Sequence, residues 1–131
     1  MSHATGTFKI QSWDENPYAE FDAGRKLTRA SVEQAFSGDI EGEGAVEWLM
    51  CYRPDETADF LGLQRIVGSV GERSGSFVLR MSGTFDGKVA KADWSVVPGS
   101  GTGELEPLTG SGEFSAPLGG EPSVTLDYEL G

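Results

Sequence analysis

The sequence predicts an all-β protein in which eight antiparallel strands form a closed, up-and-down β-barrel. Three observations support this fold class. Apolar and polar residues alternate along seven to eight segments, as expected for strands with one buried face. Every stretch with helical spacing of apolar residues is soon interrupted by a glycine or a proline. Glycine accounts for 19 of the 131 residues, which supplies many tight turns between strands.

The alternation also defines the predicted strand boundaries. The strands are residues 5–13, 27–40, 45–52, 58–70, 74–85, 88–97 and 123–130, with a short pair around 103–105 and 112–114. Residues 14–26 are acidic and contain Asn16 and Pro17, and residues 98–108 are rich in glycine, so both segments are predicted to be long surface loops. Hairpin turns are predicted at residues 41–42, 53–56, 71–73 and 86–87, where glycine or proline favours a chain reversal.

A sheet of this size must protect the hydrogen-bonding groups of its edge strands. Seven or eight strands without covering helices achieve this when the sheet closes into a barrel. A β-sandwich is the alternative, because it also buries alternate side chains, and alternation does not distinguish the two folds. The length fits a single domain, which we assign to residues 1–131.

The more apolar face of each strand is predicted to point into the barrel. This rule gives one answer for five strands. Their inward residues are Phe8, Ile10, Ala30, Val32, Gln34, Phe36, Phe77, Leu79, Met81, Phe85, Ala90, Ala92, Trp94, Val96, Val124, Leu126, Tyr128 and Leu130.

Strands 45–52 and 58–70 are ambiguous, because both of their faces carry apolar residues. The competing sets are Val46, Trp48, Met50 and Tyr52 against Ala45, Glu47, Leu49 and Cys51, and Phe60, Gly62, Gln64 and Ile66 against Leu61, Leu63, Arg65 and Val67. Apolar outer faces on neighbouring strands favour contact with a partner subunit. We therefore expect a homo-oligomer, a dimer or a trimer, with Leu49, Leu61, Leu63 and Val67 at the contact.

If the larger sets point inward, aromatic side chains and a few polar groups surround the barrel axis. The predicted ligand-binding residues are Gln34, Trp48, Met50, Tyr52, Gln64, Phe77, Met81, Trp94 and Tyr128. Such a lining is typical of a pocket for a small molecule. The same pattern is also consistent with a core filled by these side chains, in which the two glutamine amides bond to each other or to buried water.

Composition argues against several classes of function. Ten basic against 21 acidic residues give a formal charge of −11, which makes nucleic acids and anionic membranes unsuitable partners. Apolar runs stay well below the roughly 18 residues of a membrane span, and no secretion signal is recognisable. We therefore expect a cytoplasmic protein, and the single cysteine, Cys51, agrees with a reducing compartment.

Catalytic and metal chemistry have few candidate residues. His3 is the one histidine, so neither a catalytic triad nor a histidine-based zinc site is predicted, and no cofactor is indicated. The glycine-rich residues 98–103 lack the lysine and the helix of a phosphate-binding loop. Glu47 would be a candidate general acid or base if its strand faced the other way, and Tyr52 is a second candidate.

The segments 96–105 and 108–114 resemble the Gly-Thr-Gly and Gly-x-Gly-x-Phe region of allene oxide cyclases and dirigent-type barrels. Nearly the whole chain resembles a bacterial family of unknown function, domain-of-unknown-function family 3224. The segments that carry this likeness are 12–15, 26–30, 42–44, 47–52 and 62–65. The resemblance implies an eight-stranded antiparallel barrel, often oligomeric, with a ligand or substrate that enters one end of the lumen. It assigns no functional residue, and a fold alone does not define an activity.

Three functions are consistent with these observations. The first is a barrel that binds a small apolar or aromatic molecule. The second is a cyclase or isomerase that uses the same lumen to orient a reactive substrate, with Glu47 or Tyr52 as an acid or base. The third is a non-catalytic module that forms a homo-oligomer and whose interior is only a core.

Overall fold

A computed structural model describes residues 2–131 and shows a sheet of nine strands in this part of the chain. A single 3-10 turn, Asp22–Gly24, links the first two strands. The strands are β1 Ser2–Glu20, β2 Lys26–Gly38, β3 Ile40–Tyr52, β4 Ala58–Val70, β5 Arg73–Phe85, β6 Val89–Val96, β7 Thr102–Gly103, β8 Leu108–Pro117 and β9 Ser123–Leu130.

The predicted up-and-down barrel is confirmed. Each long strand pairs antiparallel with the next one along the chain, and β1 pairs with β9 to close the ring. The two-residue β7 adds to the end of β5 and takes no part in the closure. Because the ladder is continuous around eight strands, the alternative of two packed sheets is ruled out.

The predicted loop at residues 14–26 is wrong for its first half. β1 continues to Glu20 and stays paired with β2, with Trp13 opposite Val32 and Pro17 opposite Thr28. This extension has a neighbour on one side only, since β9 pairs with β1 no further than Gly6. Its side chains are mostly exposed, and register shifts after Ile10 and Pro17 interrupt the alternation. The alternation therefore does not indicate this part of the strand, because most of its side chains lack a buried face.

One predicted turn is also misplaced. The chain reverses at Gly38 and Asp39, where Gly38 has a φ of 110°. Glu41 and Gly42 lie inside β3, and a side chain at Gly42 would meet the backbone oxygen of Val67 at 2.2 Å. Glycine at this position therefore allows close approach of β4 and does not form a turn. The predicted turns at 53–56, 71–73 and 86–87 are confirmed, apart from Arg73, which begins β5.

The inward faces predicted for five strands are confirmed, with one exception. Ile10 is 53% exposed, because it lies beside a register shift at the open end of the barrel. The two ambiguous strands are resolved: Trp48 and Gln64 point inward, whereas Leu49 and Leu63 point outward. The buried indoles of Trp48 and Trp94 show that the barrel closes around aromatic residues.

The lumen is filled in its middle and toward one end. A row of inward-facing positions follows the ladder around the barrel: Trp48, Gly62, Met81, Trp94, Gly112 and Leu126. Gly62 makes room for the indole, since a Cβ there would lie 2.7 Å from Cε3 of Trp48. Toward the filled end Phe77, Leu79 and Ile66 are completely buried, and Leu105 of the β6–β8 connection joins the core there.

Candidate functional site

The opposite end of the barrel is open and leads into a cavity of about 690 Å³, which we call the mouth cavity. The hairpins β3–β4 and β5–β6 and the β8–β9 loop border this end. The residues that line the cavity are Phe8, Lys9, Ile10, Trp13, Gln34, Trp48, Met50, Tyr52, Phe60, Phe85, Ala90, Phe114, Ala116, Pro117, Leu118, Gly119, Gly120 and Pro122. Most of this surface is apolar, and much of it is aromatic.

The floor of the mouth cavity is a cluster of packed aromatic rings centred on Phe114. Its ring centroid lies 6.0 Å from that of Phe8, 6.1 Å from Trp48 and 6.4 Å from Phe60. Trp48 and Phe60 meet edge to face at 4.9 Å. Edge-to-face and offset contacts hold aromatic rings in fixed orientations, so this floor is preformed.

Small side chains create the space above the floor. Ala90 on β6 lies directly opposite Ala116 on β8, and both line the cavity. At the lip, Ile10 and Leu118 are 53% and 69% exposed. Large apolar side chains that face water around a concave site are typical of a binding surface.

One buried amide pair supplies the polar group of the floor. Gln64 Nε2 donates a hydrogen bond of 2.7 Å to Gln34 Oε1. Gln64 lies in the filled part of the lumen, whereas Gln34 borders the mouth cavity. The bond fixes the orientation of the Gln34 amide and leaves its NH₂ group as a donor beside the cavity.

A hydrogen-bonded carboxylate holds the rim beside the mouth cavity. Glu15 Oε2 accepts hydrogen bonds of 2.6 Å from Thr28 Oγ1 and from Tyr52 Oη, and Glu15 Oε1 accepts one of 2.9 Å from Trp13 Nε1. The amine of Lys26 lies 4.9 Å from the centre of the Tyr52 ring. These contacts tie the extension of β1 to β2 and β3, and so place two aromatic side chains at the cavity wall.

Two ionisable side chains of this rim, Glu15 and Tyr52, have pKa values that are shifted in opposite directions. Partial burial raises the pKa of Glu15, but hydrogen bonds from Thr28, Tyr52 and Trp13 and the charge of Lys26 together lower it below 4.5. Burial and the neighbouring Glu15 carboxylate raise the pKa of Tyr52 well above its usual value. At neutral pH, Glu15 is therefore ionised and Tyr52 keeps its proton as a hydrogen-bond donor.

The predicted ligand-binding residues fall into three groups. Gln34, Trp48, Met50 and Tyr52 line the mouth cavity. Gln64, Phe77, Met81 and Trp94 are buried in the filled part of the lumen and do not line the cavity. The half-buried Tyr128 lies on β9 near the closed end, where its hydroxyl is close to Gly71. The structure therefore brings four of the nine residues together at one open surface.

The candidate acid–base residue Glu47 lies outside the barrel. β3 places Trp48 inward and Glu47 outward, so the reversed strand that would bury this carboxyl is not found. Glu47 accepts a hydrogen bond of 2.7 Å from Arg29, and contacts with Ser31 and Arg29 lower its pKa. Arg29 is its ion-pair partner.

Sequence reasoning missed several residues of the mouth cavity and of the rim beside it. Trp13 and Glu15 were missed because the extension of β1 carries no alternation. Phe60 and Phe114 point inward as the alternation of their strands indicates, but the pattern alone does not show their depth in the lumen. The useful signal was the small pair Ala90 and Ala116, which opens space only once the register of β6 and β8 is known.

A larger concave region, of about 1360 Å³, is bordered by outward-facing side chains such as Arg29, Leu61, Arg80 and Asp93. Its lining also includes Trp48, Met81 and Trp94 of the lumen and draws on all eight long strands. We consider the mouth cavity the better small-molecule site, because its walls are aromatic and converge on a fixed floor. Within residues 2–131, no three His, Cys, Asp or Glu side chains are grouped as metal ligands would be. Nor does that part of the chain contain a helix with the length and apolarity to cross a bilayer.

The fold and this site define a class of protein: a closed eight-stranded β-barrel with one filled end and one open, aromatic-lined end. The chain belongs to the family described as "Protein of unknown function (DUF3224)", whose profile matches residues 4–128. It is similar to a crystal structure of a protein with unknown function from this family from Shewanella oneidensis MR-1. The two share 28% sequence identity over 100% of this chain and 98% of that chain, with a TM-score of 0.84. The curated proteins contain no significant match. The likeness to allene oxide cyclases and dirigent proteins stays a prediction.

Proposed function

We propose that this protein binds a small apolar or aromatic molecule in the mouth cavity. The observation that carries the proposal is the preformed aromatic floor of Phe8, Trp48, Phe60 and Phe114 beneath an opening to solvent. The volume of about 690 Å³ falls within the range of about 300–1,000 Å³ typical of small-molecule sites.

The polar groups around the cavity restrict the chemistry of the ligand. The NH₂ group of Gln34 favours a ligand with a hydrogen-bond acceptor at its buried end. The net charge of −11 disfavours anions, although Lys9 stands at the cavity edge. A neutral, planar molecule with one acceptor atom fits these constraints best.

Binding of a neutral hydrophobic dye tests this proposal. N-phenyl-1-naphthylamine should become more fluorescent with the protein and should quench the two tryptophans of the cavity, Trp13 and Trp48. The substitution Ala116→Phe adds a ring to the cavity wall and should weaken dye binding by roughly tenfold or more, because the ring occupies the volume that the dye requires.

The matched control is Ala35→Phe, which adds the same ring to the outer face of β2. This variant should bind the dye as the natural chain does. Equal affinity for all three proteins, each with an unchanged far-ultraviolet circular dichroism spectrum, would contradict the mouth cavity as the binding site.

We do not extend the proposal to catalysis in the lumen. Tyr52 retains its proton and is engaged with Glu15, whose two oxygens are both occupied by donors. Glu47 lies on the outer surface. Binding is therefore the function that the described geometry supports best.

A further inference from the structure

The outer surface of the barrel carries one group of exposed aliphatic side chains, which we call the leucine patch. It consists of Leu49 on β3 and of Leu61, Leu63 and Val67 on β4, which are 45%, 56%, 55% and 48% exposed. Leu49 and Leu61 lie directly opposite each other in the ladder. Four clustered aliphatic residues on two adjacent strands differ from the scattered single ones that are common on surfaces.

Charged residues flank this patch with opposite signs on its two sides. At the level of Leu63, Glu47 lies on β3 and Arg80 lies on β5, each directly opposite Leu63 in the ladder. Glu47 is bonded to Arg29, whereas Arg80 is exposed and has no ion-pair partner among residues 2–131. β4 thus separates an acidic side chain from a basic one.

The next level shows the same arrangement with the signs exchanged. In the row of Leu61, Arg29 lies two strands away on β2 and Asp93 lies two strands away on β6. A two-fold axis parallel to β4 exchanges the two sides of this surface between facing copies. Glu47 of one copy then faces Arg80 of the other, and Arg29 of one copy lies on the side of Asp93 of the other.

The overall charge makes a surface on which two copies can pair opposite charges unusual for this chain. Two copies that each carry −11 repel one another on most of their surface. Three of the ten basic residues, Arg29, Arg65 and Arg80, surround the leucine patch. Arg65 donates to Ser76 Oγ at 3.2 Å, and this bond directs its guanidinium toward β5 and away from β4. These arginines offset part of the repulsion from the acidic residues of the same face, which are Glu43, Glu47, Asp59 and Asp93.

We propose that a second copy of this chain covers the leucine patch, in a symmetric dimer whose two-fold axis runs along β4. Leu61 and Leu63 of each copy pack against their counterparts. Glu47 of each copy pairs with Arg80 of the other copy. The mouth cavity lies at one end of the barrel and the patch on its side, so the dimer leaves both cavities open. This proposal is independent of ligand binding.

Sedimentation velocity of the full chain over a series of concentrations tests the dimer. The natural chain should approach twice its mass of 14.0 kDa as concentration rises. Leu63→Asp places a charge at the axis and should give a monomer at all concentrations. A natural chain that stays monomeric, or that forms a trimer, would overturn the proposal, because this axis relates two copies only.

A charge exchange tests the geometry. Arg80→Glu brings two acidic side chains together at each end of the contact and should weaken the dimer roughly tenfold or more. Adding Glu47→Arg to Arg80→Glu restores opposite charges and should recover much of the affinity. Arg73→Glu makes the same charge change at the start of β5 and is the matched control. The dimer of this variant should be weakened far less. Equal weakening by Arg73→Glu, or no recovery in the double variant, would contradict the pairing.

Discussion

The two halves of the barrel lumen follow the same rule of alternation and yet differ in their packing. Toward the closed end, Phe77, Leu79 and Ile66 are completely buried and fill the axis. Toward the mouth, the pair Ala90 and Ala116 leaves a cavity. Both halves direct alternate side chains inward, so direction does not explain the difference.

Side-chain volume at each level explains it. An eight-stranded barrel is just wide enough for its own side chains to fill it. Where neighbouring strands carry two alanines, these side chains therefore do not reach the barrel axis, and the aromatic rings below form a floor. The comparison indicates that a filled core and a binding cavity can share one lumen. The distribution of small residues determines where the filled core ends and the cavity begins.

The largest expected effect distinguishes the two halves by stability. Phe77→Ala should lower the free energy of unfolding by about 3–5 kcal/mol, because it opens a cavity in a region that is completely buried. Phe85→Ala, the same change on the same strand at the mouth, should cost less than about half of that, because its ring is already partly in contact with water.

Urea unfolding of both variants, followed by circular dichroism, measures the two losses. Equal losses would show that the mouth is packed as tightly as the closed end. In that case the cavity would not reduce the stability gained by packing at the mouth, and the proposed binding site would lose its basis.

The direction of most strands could be predicted from the sequence, because one face was clearly more apolar. Trp94 and Leu126 are examples, since polar residues flank each of them on its strand. On β4 the rule was undecided, since Leu61 and Leu63 are as apolar as inward Phe60. If the proposed dimer is correct, those outer leucines follow a second requirement, contact with another copy, which a single-chain rule does not include.

The candidate site could be predicted only in part. Trp48 and Tyr52 follow from alternation, but their depth in the lumen depends on register, which relates residues far apart in the sequence. Glu15 reaches Tyr52 across 37 positions through a strand extension that is exposed and irregular. Local patterns carry no information on such a contact.

An intermediate effect is expected at the boundary between the two halves. Gln34→Leu removes the acceptor of Gln64 and leaves a buried amide NH₂ without its partner, so it should cost about 1–3 kcal/mol. Changing both glutamines to leucine should cost less than the sum of the two single changes, because no unpaired amide remains.

A double-mutant cycle by urea unfolding measures this coupling. Strictly additive losses would mean that the hydrogen bond between the two glutamine amides contributes nothing to stability. Titration of Gln34→Leu with a neutral planar ketone adds a second readout, since this variant also removes the proposed donor to the acceptor atom of a ligand.

The smallest effect concerns the rim beside the mouth cavity and depends on pH. The pKa of Glu15 is lower in the folded protein than its ordinary value of 4.5, so ionisation of this group favours folding. This stabilisation is fully present above the ordinary value and is lost as the pH falls through the lower, folded value. It should not exceed about 1 kcal/mol, because much of the carboxylate faces solvent.

Unfolding measured from about pH 7 to about pH 3 in the natural chain and in Glu15→Gln isolates this contribution. The natural chain should lose more stability over this range than the variant, because the amide does not titrate. As Glu15 takes up its proton, Trp13 and Tyr52 lose an ionised acceptor, so the fluorescence of Trp13 should change before unfolding begins. Parallel stability curves for the two proteins would show that the hydrogen bonds of Glu15 do not couple the rim to folding, and the mouth would then differ from the closed end in packing alone.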